Sequence, residues 1–162
     1  MAAVDYFLKI DGIDGESKDD AHQGEIDVQS WSWGETQSGT FGGGGGGGAG
    51  KVSMQDFHFV MTMNKASTKL FLASATGQHI DSAVLTCRKA GTDPQEFLTI
   101  TMEDVLVSSY QTGGSASGSL VPTDQISLNF GTIKFSYAPQ KDDGSLDSPV
   151  QGGYNTQTNK KT

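Results

Sequence analysis

The chain has 162 residues, a formal net charge of −8 and one cysteine. The length suits one domain with a sizeable core. The charge repels nucleic acid and anionic membrane surfaces, and one cysteine excludes both an internal disulfide framework and a Cys-rich zinc site. The N-terminus carries Asp5 but no basic region and no apolar segment of signal-peptide length, and no run is long enough to span a membrane. Export, if it occurs, is expected to need no cleaved signal.

Apolar residues recur mostly with period two, the signature of strands. Tyr6, Leu8 and Ile10 alternate with Asp5, Phe7 and Lys9 in a first strand that ends at the turn-rich Asp11–Gly15. The acidic stretch holding Asp11, Asp14, Glu16, Asp19, Asp20 and His22 fails the calcium-loop pattern, since Ile13 and Gly15 stand where carboxylates belong. It reads as a solvated turn. A second strand spans about Glu25 to Gly34. A third covers Val52 to Met63, with Phe57, Phe59, Met61 and Met63 on one face. Ser67 to Thr76 is the helix candidate, with Ser67 as N-cap and Gly77 as C-cap.

Strands resume at Ala83–Lys89, Glu96–Tyr110 and Gln125–Tyr137. The last changes phase: Ile126, Leu128 and Phe130 share one register, and Ile133, Phe135 and Tyr137 share the other. Gly131 at the switch predicts a β-bulge, or a strand that bends from one sheet to another. The polar tail from about residue 139 is expected to be loosely held, apart from Tyr154. The pattern gives a mainly β protein, a β-barrel or sandwich with one short helix.

Between the second and third strands, Phe41–Lys51 nearly spells a phosphate-binding loop. Gly45, Gly50 and Lys51 fit, but Val52 replaces the magnesium-binding hydroxyl and a strand follows where a helix is needed. Seven consecutive glycines match any Gly-spaced motif by accident. The segment reads instead as an extended, mobile arm of about 35 Å reach, costly to order and fixed only when a partner receives it. His22, His58 and His79 show no zinc-helix pairing, and Ala116 stands where a nucleophilic serine would in Gly114–Gly118. Cys87 shares a strand face with Leu85 and Ala83, the setting of an inert thiol. No catalytic set, metal site or cofactor site assembles, so the chain is expected not to be an enzyme.

The strand Ile26–Trp33 shows Ile26, Val28, Ser30 and Ser32 on one face and Asp27, Gln29, Trp31 and Trp33 on the other. A tryptophan pair serves packing or a protein contact, and Ser30 and Ser32 suit a solvent-filled surface. A secreted, non-catalytic binding module such as a sugar-binding β-sandwich would use Trp31 and Trp33 as an exposed platform. A phage-type tail tube subunit would share the ring physics described next.

Several segments occur together in a specific order. They are Gly15-Glu16-Ser17 before Lys18, Trp31-Ser32-Trp33-Gly34, Gly48-Ala49-Gly50-Lys51-Val52 and Arg88-Lys89-Ala90-Gly91. Val105-Leu106-Val107-Ser108-Ser109 follows, then Gly113-Gly114-Ser115 and Tyr137-Ala138-Pro139-Gln140-Lys141. With this order and spacing, nearly the whole chain resembles the haemolysin-coregulated protein (Hcp) family of the bacterial type VI secretion system. The resemblance implies a two-sheet β-barrel with a flanking helix, over a single domain of residues 1–162. It implies hexameric rings that stack into the inner tube of a contractile machine, enclosed by a contractile sheath and capped by the VgrG spike. Sheath contraction would eject the tube from the bacterial cytoplasm, and the lumen would hold effector proteins. Neither nucleic acid nor membrane is an implied partner. The extended loop falls at about residues 37–52, making Phe41, Gly42, Gly45, Gly48, Gly50 and Lys51 the ring-stacking candidates. Ser30 and Ser32 are the candidates for lumen and cargo contact.

Overall fold

The computed structural model describes residues 3–39, 49–91, 93–118 and 120–162. Strand β1 (Val4–Ile10) lies between β2 (Ile26–Val28) and β7 (Ile80–Lys89), both antiparallel to it. The long strands β8 (Gln95–Gly113) and β9 (Thr123–Tyr137) continue the ladder outward from β7. Strand β3 (Ser30–Ser32) pairs with β6 (Phe57–Thr62), and β6 pairs with β9. Between β3 and β6, β4 (Glu35–Gly39) and β5 (Ala49–Met54) form a separate two-stranded hairpin. Strands β10 (Val150–Asn155) and β11 (Lys160–Lys161) close the order at the far edge.

The protein is mainly β, as the alternation predicts. "Barrel" is the loose part of that expectation, because the hydrogen-bonded ladder does not close. At its two ends β2 and β3 are linked by Gln29, whose N–H donates to Val60 O of β6 at 2.8 Å. Burial changes phase there: Ile26 and Val28 face the core, then Trp31 does. The single strand expected from Glu25 to Gly34 is therefore two short ones, β2 and β3.

Strand β9 uses Gly131 as its changeover. Residues 132–137 pair with β10 and residues 123–128 with β6. No register shift occurs between β8 and β9 at this point; the shift lies between Val107 and Ser109 of β8. Neither option at Gly131 holds as expected: no bulge lies there, and β9 changes partner from β6 to β10 within one sheet. The opposing residue, Asp104, has φ +55°, so both strands turn over together. A Cβ on Gly131 would come within 3.2 Å of Asp104 Cβ, so glycine permits the close approach.

Helix α1 (Ala66–Thr76) starts one residue earlier than expected, and Ser67 lies inside it. Asn64 does the capping: its Oδ1 accepts from Ala66 N at 2.8 Å, while Ser67 Oγ accepts from Asn64 N at 3.0 Å. Gly77 ends the helix at φ 66° as predicted. The core joins Leu8, Ile26, Phe57, Phe59, Leu85, Ile100, Ile126 and Leu128, all fully buried, with Leu70 and Ala73 of α1 packed in.

Two expectations fail. The tail is not loose, since β10 pairs with β9 from Val150↔Tyr137 to Asn155↔Thr132. An edge strand covered on one side needs little apolar alternation, so the sequence hid it. The acidic stretch is not merely a solvated turn either. His22 is buried and stacks on Phe7 with ring centroids 4.4 Å apart. Arg88 donates to both carboxylate oxygens of Asp19 (2.9 and 2.7 Å) and to Asp5 (3.3 Å). That fork holds the Asp19 carboxyl below the usual range. The segment thus covers β1 and buries Phe7 on the face opposite Leu8 and Ile10.

Candidate functional site

Four strands, β3, β6, β9 and the second half of β8, present one continuous outward surface. Register builds it in transverse rows. Ser32 pairs with His58, His58 with Ser127, and Ser127 with Ser109. The next row runs Ser30, Val60, Gln125 and Gln111. Alternation produces this face, because the intervening Trp31, Phe57, Phe59, Ile126 and Leu128 point to the core. Ser30, Ser32, Ser109, Gln111 and Gln125 are exposed. His58 Nδ1 lies 3.2 Å from Ser127 Oγ, and Gln29 Nε2 donates to Thr62 Oγ1 at 2.6 Å.

The chain has 19 acidic and 11 basic residues, yet neither row contains an Asp, Glu, Lys or Arg. Such a surface offers hydroxyl and amide hydrogen bonds without a fixed charge of either sign. Ser30 and Ser32 both lie on it, adjacent to one another. His58, Ser109, Gln111, Gln125 and Ser127 belong to the same surface but were missed by sequence reasoning. Their signal was the absence of charge at every second position of three separate strands, legible only once the pairing register is known.

The tryptophans do not form an open platform. Trp31 stacks on Phe57 (5.9 Å, 15°) and meets Tyr6 edge-on at 6.2 Å. Trp33 packs against Phe130 and Phe135, and its Nε1–H donates to Gln55 O at 2.8 Å. The sugar-binding reading thereby loses its platform.

Of the stacking candidates, Phe41, Gly42, Gly45 and Gly48 lie outside the described residues. Gly50 and Lys51 lie in β5 rather than in a loop. The loop expected over residues 37–52 is thus strand at both ends, with Gln37 opposite Val52 and Gly39 opposite Ala49. Glu35 to Gly39 are exposed throughout, so no apolar period marks β4. A Cβ on Gly50 would collide with Ser38 O, which fixes glycine at that crossing.

Cys87 is buried, and burial pushes its thiol up to about 11, although a contact with Trp31 acts in the opposite direction. Among the described residues no group of three or more His, Cys, Asp or Glu side chains is placed to hold a metal ion. A surface pocket of about 500 Å³ between β8, β9 and β10 is lined by Thr99, Thr101, Lys134 and Gln151, with no acid–base pair among its lining side chains. No helix among the described residues is long and apolar enough to cross a membrane.

Comparison with known proteins agrees with this architecture. Residues 7–137 match the family described as "Type VI secretion system effector, Hcp". Protein hcp1 of Pseudomonas aeruginosa is 48% identical over 159 residues, covering 97% of this chain and 98% of that protein. A solved structure described as a type six secretion system protein superposes with TM-score 0.93 at 32% identity, covering 99% of this chain and all of the other. Hcp1 from Salmonella typhimurium superposes with TM-score 0.80 at 36% identity and the same coverage. Fold and sequence together define a type VI secretion protein. The chain belongs to the Hcp family.

Proposed function

We propose that this chain is the building block of a type VI secretion inner tube, closing into six-membered rings that stack and are ejected when a surrounding contractile sheath shortens. The observation that carries the reading is the pair of adjacent uncharged rows on β3, β6, β9 and β8. Closed around a ring, that face makes a polar lumen wall, with Ser30 and Ser32 among its cargo contacts. A wall without fixed charge lets effector proteins of either sign enter and leave, since no buried ion pair has to be broken on release. The β4–β5 hairpin, whose second strand carries Gly50 and Lys51, reaches the next ring, and Phe41, Gly42, Gly45 and Gly48, which lie between its strands in sequence, are proposed to take part in that contact.

Ring contacts of this kind are heterologous and close, whereas stacking contacts are heterologous and do not, so stacking yields a filament. Stacking must stay weak until a tube is wanted. A seven-glycine run loses much backbone freedom on docking and weakens the contact accordingly. The VgrG spike then caps the tube, and the subunit leaves the cytoplasm with it.

Native mass measurement of the purified protein is expected to give six copies; a monomer or dimer at every concentration sinks the reading. Ser32→Arg is expected to leave the ring mass unchanged and to lower co-purifying effector about tenfold, as an unpaired charge pressed against cargo costs on the order of 1–3 kcal/mol. Equal carriage removes Ser32 from the cargo face. Replacing several glycines of Gly42–Gly50 with serine or alanine is expected to alter stacking and secretion while rings persist; unaltered secretion counts against the entropic role.

A further inference from the structure

We infer that Asp56 is a positioning residue that sets the direction in which the β4–β5 hairpin leaves the body, and so decides whether that hairpin can meet a second copy of this chain. The inference rests on the reading of the hairpin as the ring-to-ring contact.

Asp56 sits between β5, which ends at Met54, and β6, which begins at Phe57. Its two carboxylate oxygens are held from two different strands. Oδ2 accepts from Ser108 Oγ at 2.6 Å, and Oδ1 accepts from Asn129 Nδ2 at 2.9 Å. Ser108 is the extra residue of the β8 irregularity between Val107 and Ser109. The local departure from regular pairing therefore delivers a hydroxyl to this carboxylate, as bulges re-aim side chains. The other arm of the root is tied by Gln55 N–H to Gly34 O (2.9 Å) and by the Trp33 indole to Gln55 O (2.8 Å).

Beyond this root the hairpin has little to lean on. β4 is exposed along its length. A gap of about 430 Å³ lies between Glu35, Gln37, Val52 and Tyr154, and one of about 230 Å³ between Lys51, Met54, Thr156 and Asn159. A five-residue strand at ~3.3 Å per residue acts as a lever, and a swing of about 10° at its root displaces the far end by about 3 Å. That exceeds what a hydrogen-bonded contact tolerates. Hydrogen bonds to Asp56 from two strands add to the Gln55 bonds in holding the root against such a swing.

The test compares parent, Asp56→Ala, Asp56→Asn, Asn129→Asp and a variant lacking residues 40–48. Two quantities are read: the anisotropy of a dye on an introduced Ser38→Cys, and the fraction of stacked rings seen by electron microscopy as protein concentration rises. Asp56→Ala removes both acceptors, and Asn129→Asp sets two carboxylates against each other. Both are expected to keep six-membered rings, to lower the anisotropy and to reduce stacking about tenfold. Asp56→Asn can still accept from Asn129 and donate to Ser108, so it is expected to behave as the parent.

If the shortened variant fails to stack but Asp56→Ala stacks normally with unchanged anisotropy, the inference is overturned and the reading of the hairpin stands. If the shortened variant stacks like the parent, that reading falls and takes the inference with it. Loss of rings in both Asp56→Ala and Asn129→Asp also overturns it, because Asp56 then supports the body rather than the hairpin.

Discussion

His22 carries a carboxylate on each ring nitrogen, Glu25 on Nδ1 at 2.8 Å and Glu96 on Nε2 at 2.6 Å. Burial opposes charge on this imidazole, but the two carboxylates outweigh it and raise its pKa. A raised value in the folded state means that the clasp contributes fully below the unfolded imidazole pKa of about 6.5 and is lost as pH climbs through the folded value. Urea midpoints are therefore expected to fall from pH 6 upward through neutrality more steeply in the parent than in His22→Gln. Matching slopes would show that the clasp does not titrate in that window. Nothing in the sequence announced this residue. A lone histidine in an acidic run looks solvated, and both Phe7 beneath it and Glu96, on a strand far along the chain, had to be brought there by the fold. Cys87 was legible by contrast, because its neighbours Leu85 and Ala83 repeat on one strand face.

At the scale of elements, strands with one buried face and the capped helix were readable, since period two and Gly77 report local geometry directly. Strands without an apolar alternation were not. β4 and β10 owe their existence to a partner strand rather than to their own pattern. The phase change in β9 was visible around Gly131, but its cause sits across the ladder in Asp104 at φ +55°. L-residues pay about 1–2 kcal/mol in that region and glycine does not. Asp104→Gly is accordingly expected to leave stability unchanged or slightly higher, because its exposed contact with His79 (3.0 Å) is worth little. Asp104→Val is expected to lose about 1–2 kcal/mol in denaturant unfolding. Equal stability of the two variants would show that the turnover does not depend on that backbone conformation.

For the whole molecule, the family was legible from ordered segments spread over nearly the full chain, while the candidate binding face was only half legible. Ser30 and Ser32 stood out beside the tryptophans, but His58, Ser109 and Ser127 join them only through register. Charge belongs to this scale as well. Each copy carries −8, so copies brought together repel one another until salt shortens the reach of that repulsion to about 8–10 Å near 0.1–0.15 M. Sedimentation velocity is expected to show the stacked fraction rising as ionic strength goes from about 0.02 to 0.2 M. A fall with added salt would mean that opposite-sign pairs across the junction dominate instead.

The burial of Cys87 has a bearing on a life spent partly outside the cell. With its one sulfhydryl shut within the core, the chain offers no accessible thiol to an oxidant and no disulfide between copies. Under oxidising conditions the chain therefore gains no cross-link through its own thiol, and contacts between copies stay non-covalent and reversible.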